Sequence, residues 1–110
     1  MTEVTFFQKE TGELTGFRIE NHAGFDDEGK DIVCAAISAL AINTINSINE
    51  LTSDTMDVDM DEYEAYIDAS IFDTPCKEAQ LLLKSLALGL ENLEDDEAVN
   101  NFIDVIFEEV

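Results

Sequence analysis

Thr2-Glu3-Val4-Thr5-Phe6-Phe7-Gln8, then Lys9-Glu10-Thr11-Gly12, then Glu13-Leu14-Thr15-Gly16-Phe17-Arg18-Ile19-Glu20, is the stretch on which the fold turns. Its first residues are mostly β-branched or aromatic and suit a pleated, half-buried surface. Lys9 to Gly12 is a turn signal. Residues 13–20 then alternate, with Leu14, Gly16, Arg18 and Glu20 on one side and Thr15, Phe17 and Ile19 on the other. Strand, turn and strand predict a hairpin.

Asn21 to Lys30 is polar, contains glycine, and reads as a loop. Asp31 then opens a helix, because its carboxylate accepts from the free amides of a first turn. The helix continues through Ile32-Val33-Cys34-Ala35-Ala36-Ile37 to Ile48. Small residues early in it (Cys34, Ala35, Ala36, Ser38, Ala39, Ala41) predict close packing on a sheet around most of its circumference. Met56, Val58 and Met60 alternate with Asp57, Asp59 and Asp61, the period of a strand with one acidic face. A turn at Asp61-Glu62-Tyr63 leads to a strand through Ala65, Ile67, Ala69 and Ile71. Thr74-Pro75 predicts a second helix, with Thr as N-cap and Pro at the first helical position. Ala79, Leu82, Leu83, Leu86, Ala87, Leu90 and Leu93 repeat at helical spacing, and an acidic stop follows from Glu91 to Glu97. Phe102 to Phe107 is a closing strand. The expected order is ββαββαβ, an α/β (α+β) fold in one domain over residues 1–110.

The chain carries five Lys and Arg against 26 Asp and Glu, a net charge of −21 at pH 7. Hydrophobic residues make up 45%, enough for a core and too many for a disordered acidic tail. The charge therefore belongs on the outside of a folded domain. Five scattered cations cannot build a groove that tracks phosphates, which argues against direct nucleic-acid binding. An anionic membrane surface is repelled for the same reason. No apolar run is expected to reach the roughly 20 residues of a membrane span. Met1-Thr2-Glu3-Val4 does not begin a signal peptide, so the expected compartment is the cytoplasm, with Cys34 and Cys76 as reduced thiols.

Three places offer chemistry. Cys34 is the third residue of a helix capped by Asp31, where partial positive charge lowers thiol pKa values and free amides can hold an oxyanion. His22 is the one side chain whose ordinary pKa suits it to take a thiol proton. The same two residues also fit a small packing cysteine and a solvated histidine, and the residues alone leave that choice open. Cys76 stands next to Lys77 in what reads as the first turn of the second helix, but has no histidine near it in sequence. Asp57-x-Asp59-x-Asp61 lacks the Gly and Glu of a calcium loop, since Glu62 and Asp68 occupy those places. Two cysteines and one histidine give no zinc spacing, and no glycine-rich phosphate loop is present, so neither metal nor cofactor is expected.

One motif carries a resemblance. His22-Ala23, a loop, then Gly29-x-Asp31-Ile32-Val33-Cys34-Ala35-Ala36-x-Ser38-Ala39 resembles the signature of the ribosomal-processing cysteine protease (Prp) family. Glu78-Ala79-Gln80-Leu81-Leu82-Leu83 is similar to that family's second helix. One departure is visible: Asn21 stands where the family usually has glycine before the histidine. The resemblance implies a two-layer domain with a mixed sheet and two helices. It implies a cytoplasmic endopeptidase that removes the N-terminal extension of large-subunit ribosomal protein number twenty-seven, and a homodimer. It also implies that Cys34 is the nucleophile and His22 the base, with Asp31 and Ser38 in support. Asp31 reads as a cap rather than a third catalytic member, and Ser38 as either a donor to backbone or substrate or a packing residue. Loop 22–31, with Gly24 and Gly29 as hinges, is expected to close over bound peptide and to be loosely organised without it. A ribosomal substrate would be basic, which the acidic surface suits. The rival readings are a non-enzymatic acidic module that binds a basic ribosomal protein, and a thiol redox protein, against which the missing Cys-x-x-Cys counts.

Overall fold

The computed structural model describes residues 1–27 and 31–110. The elements are β1 (Thr2–Gln8), β2 (Leu14–Glu20), α1 (Ile32–Leu51), β3 (Asp57–Asp61), β4 (Tyr66–Ser70), α2 (Lys77–Asp95) and β5 (Ile103–Glu109). Their order is the expected ββαββαβ. The five strands form one sheet in the order β3-β4-β2-β1-β5. β1 and β5 run parallel and the other neighbours antiparallel, so the sheet is mixed.

The period-two pattern sorts the two faces. Val4, Ile19 and Ile67 lie opposite one another across β1, β2 and β4, and Phe6, Phe17 and Ala69 form the next row. All six are buried. Val33, Ile37, Ala41, Ile45 and Ile48 of α1 join them, with Ala79, Leu83, Leu86, Ala87 and Leu90 of α2, in a single core. Both helices therefore cover one face and the domain has two layers. The other face holds Thr5, Arg18, Asp68 and Asp59 in register. There Arg18 Nε donates to Asp68 Oδ2 at 3.1 Å, and the guanidinium lies 5.2 Å from the centroid of the Phe7 ring.

Two side contacts position the layers. Leu14 N–H donates to Gln80 Oε1 at 2.9 Å and Gln80 Nε2 donates back to the Leu14 carbonyl, so α2 docks where the β1–β2 register shifts. A Cβ on Gly16 would stand 2.3 Å from the Ala69 carbonyl oxygen and 2.8 Å from Ser70 Cα, so β2 meets β4 too closely there for a side chain.

Three expectations are corrected. First, α1 buries a stripe, not most of its circumference: Ile32, Leu40, Ile42 and Leu51 are exposed, because sheet and α2 contact only one side. Second, α1 is long and apolar enough to cross a membrane by length and composition, with a mean hydropathy of 1.5. Its Ser, Asn and Thr interrupt the apolar runs, but no charged residue occurs before Glu50. The stripe from Val33 to Ile48 uses that hydropathy to pack on the sheet. Third, α2 begins at Lys77 with Cys76 as N-cap, not at Thr74-Pro75. The Thr74 hydroxyl accepts from Lys9 Nζ at 2.7 Å, and the Cys76 amide donates to Asp54 Oδ2 at 2.7 Å. Both groups are thus tied to other elements before the helix starts.

Candidate active site

The hairpin register delivers His22. Glu3 pairs with Glu20 at the end of the β1–β2 ladder. The next residue, Asn21, has φ of 70°, in the left-handed region that glycine and asparagine tolerate best. Asparagine thus holds the backbone conformation for which glycine is the usual choice. The Thr2 hydroxyl donates to the Asn21 carbonyl at 2.9 Å and secures the turn. The chain then runs over the amino end of α1.

Two consecutive residues meet the sulfur there. The Ala23 amide donates to Cys34 Sγ at 3.0 Å, and His22 Nδ1 lies 4.0 Å from the same atom. Cys34 is partly buried and His22 exposed. Asp31 caps the helix as expected: its Oδ1 accepts from the Val33 and Cys34 amides, each at 3.0 Å. Its Oδ2 accepts from the Phe25 amide at 3.1 Å. The Phe25 ring meets Phe102 edge-on, with centroids 5.1 Å apart. Within the described part of loop 22–31, Phe25 is thus joined to both Asp31 and Phe102. Gly24, with φ of 79°, occupies a conformation that needs glycine, whereas the Gly29 hinge lies outside the described residues.

The electrostatics correct another expectation. The Cys34 thiol is held above its ordinary pKa. Burial is the main cause; the Ala23 amide opposes it, and the Asp31 carboxylate reinforces it. The first-turn amides are themselves engaged: Val33 and Cys34 donate to Asp31 Oδ1, and Ala35 to the Asp31 carbonyl. The cap carboxylate offsets the positive helix end before the sulfur can use it. For Asp31 itself, burial pushes the carboxyl up, but the amides of Cys34, Phe25 and Val33 together outweigh it and leave the pKa below its ordinary value.

Sulfur and imidazole border a cleft of about 290 Å³. Ile19, Ile37, Ile42, Met60, Ile67 and Tyr66 give it an apolar lining, and Asp61 and Glu62 add carboxylates. Ser38 lines the same cleft one helical turn after Cys34. Cys76 is a free thiol outside this lining. Among the described residues no group of three His, Cys, Asp or Glu is placed to hold a metal ion. Asp57 and Asp59 stand exposed on the edge strand β3.

Sequence reasoning missed two contributors. One is the β3–β4 hairpin, which supplies Met60, Ala65 and Tyr66 to the cleft. Ala65 there has φ of 49°, so both non-glycine residues in left-handed backbone among the described residues border this cleft. The other is Thr2, whose register position opposite Asn21 was its only signal.

Comparison with known proteins gives concordant findings. A family model described as cysteine protease Prp matches residues 1–101. A Staphylococcus aureus protein named ribosomal processing cysteine protease Prp is 31% identical over 96 residues, covering 87% of this chain and 91% of the relative. The crystal structure of an essential ribosomal processing protease Prp from S. aureus, with a covalently linked product peptide, superposes with a TM-score of 0.90. It is 30% identical and the match covers 98% of this chain and 100% of that one. A second structure of that protease, with a substrate peptide, gives a TM-score of 0.86 at 29% identity, again covering 98% and 100%.

Proposed function

This chain belongs to the cysteine protease Prp family, and from that premise we propose that it is a ribosomal processing endopeptidase whose nucleophile is Cys34 and whose base is His22. The observation that carries the reading is the sulfur of Cys34 standing 4.0 Å from His22 Nδ1 at the edge of an apolar cleft. Such contacts tighten in the complex with substrate. That a relative has been captured with a covalently linked product peptide supports a nucleophile at the matching site.

In the mechanism, His22 takes the thiol proton as peptide enters the cleft. Burial raises the thiol's pKa, so His22 must take the proton for the thiolate to form. The thiolate attacks the scissile carbonyl and forms a tetrahedral adduct. We assign its oxyanion to the Cys34 amide, which must exchange Asp31 Oδ1 for it. The His22 imidazolium gives its proton to the leaving amine, and a thioester remains. Water, with His22 as base, then releases the acid and restores the thiol. Ser38, in the same cleft, is assigned to peptide contact.

For substrate we propose a basic ribosomal protein precursor, namely the N-terminal extension of large-subunit protein number twenty-seven. The net charge of −21 suits a basic chain. We propose a cytoplasmic location, where such a precursor is made, and a homodimer that covers the exposed apolar residues of α1. The test is to incubate wild type and Cys34→Ala with a peptide spanning the extension junction of the host's own ribosomal protein. Mass spectrometry should show one bond cut by wild type and none by the variant. Equal cleavage by both, or binding without cleavage by wild type, overturns the reading; the latter favours an acidic binding module.

A further inference from the structure

Two of the groups that reach the Cys34 sulfur, the His22 ring and the Ala23 amide, sit on adjacent residues. What holds them begins one residue earlier. Asn21 lies past the last rung of the β1–β2 ladder, where backbone pairing can no longer fix it. Its left-handed backbone is one of several that asparagine can adopt once released. Thr2 takes over at this point. It faces Asn21 at what would be the next rung, is 1% exposed, and is anchored by its own amide on the Phe102 carbonyl at 2.9 Å. Its hydroxyl donates to the Asn21 carbonyl at 2.9 Å. Thr2 also lines the cleft that holds His22 and Cys34.

We propose that Thr2 is a positioning residue of the dyad: by holding the Asn21 carbonyl, its hydroxyl sets the segment that brings the His22 ring and the Ala23 amide to the Cys34 sulfur. This rests on the reading of Cys34 and His22 as nucleophile and base. Thr2 acts through Asn21 and does not touch the scissile bond. Its hydroxyl has one proton, which the Asn21 carbonyl takes; the Cys34 sulfur is a second, competing acceptor for it once ionised. Removing the hydroxyl leaves that carbonyl without its partner and lets the peptide before His22 rotate. The imidazole and the Ala23 amide then leave the sulfur together.

The test compares wild type, Thr2→Ser and Thr2→Val. The readouts are the rate of iodoacetamide alkylation of Cys34 across pH, kcat and KM on the junction peptide, and the thermal midpoint. Thr2→Val should slow alkylation at neutral pH by about tenfold, the size expected for one lost hydrogen bond to a positioned group. It should move the alkylation midpoint to higher pH and lower kcat with KM within about twofold. Thr2→Ser should restore all three. If Thr2→Val does not fold, Thr2→Ala removes the same hydroxyl without a branched side chain. Alkylation and kcat within about twofold of wild type in a folded hydroxyl-less variant overturn the proposal. So does a lowered thermal midpoint with an unmoved pH profile. Cys34→Ala run alongside separates the two levels: if it still cleaves, the dyad reading itself fails, and if it is inactive while Thr2→Val is normal, only the role of Thr2 fails.

Discussion

Asp31 does three jobs with one carboxylate. It caps α1, ties the loop at Phe25, and adds to the burial that raises the neighbouring thiol's pKa. Asp31→Asn separates them. An amide oxygen still accepts from Val33 and Cys34, but the amide nitrogen cannot accept from Phe25, and the negative charge is gone. Alkylation of Cys34 at pH 7 should therefore rise roughly two- to fivefold, because a like charge beside the forming thiolate is removed. Peptide cleavage should fall, because the loop tether is lost. A stopped-flow alkylation rate and a peptide assay on the same sample check both directions. The carboxylate also has a sign in stability. Its folded pKa is depressed, so its contribution is complete above the ordinary carboxylate pKa of about 4 and is lost as pH falls through the folded value. Urea titrations between about pH 5 and pH 2 should show wild type losing more stability than Asp31→Asn.

At the scale of elements, the sheet leaves some positions no freedom. Gly16 on β2 meets backbone of β4 where a Cβ would stand. Neither the Ala69 carbonyl nor Ser70 Cα can swing aside as a flexible side chain does. Gly16→Ala should lower stability by about 1–3 kcal/mol, the usual cost of overpacking, read from the denaturant midpoint at unchanged m. The strands and α1 were legible because their patterns have a single period and a strong cap at Asp31. The start of α2 was not. Thr74-Pro75 carries the local signature of a helix start, but Lys9 and Asp54, which are distant in sequence, claim Thr74 and Cys76 first. Local capping rules cannot see a partner 65 residues away.

For the whole molecule, charge enters stability and substrate capture with opposite signs. A net charge of −21 repels itself in the compact state. Raising salt from about 0.01 M to about 0.5 M shortens the screening length several-fold, so the thermal midpoint should rise. The same change should lower kcat/KM for a basic peptide, since attraction between acidic surface and basic chain is screened as well. Calorimetry and a peptide assay over one salt series check the pair; a kcat/KM that does not change with salt would remove the charge argument for a basic substrate. The apolar residues exposed on α1 belong to this scale too. Sedimentation at micromolar concentration should return twice the chain mass if a second copy covers them.

The sequence by itself determined the order of elements and singled out His22, Asp31, Cys34 and Ser38 as candidates; it did not fix the buried face of every strand, since β3 is exposed along its whole length. Periodicity, a helix cap and a spaced motif are local, and local chemistry is written in neighbouring letters. Only the tertiary structure decided how acidic the sulfur is, because that depends first on how far the fold buries it. The Asp31 cap was legible in the sequence, but not that its other oxygen would tie Phe25 or that the sulfur would be partly buried beside it. The structure alone also put Thr2 against Asn21 and the β3–β4 hairpin beside Cys34, since strand order, unlike strand content, is set by packing between distant parts of the chain.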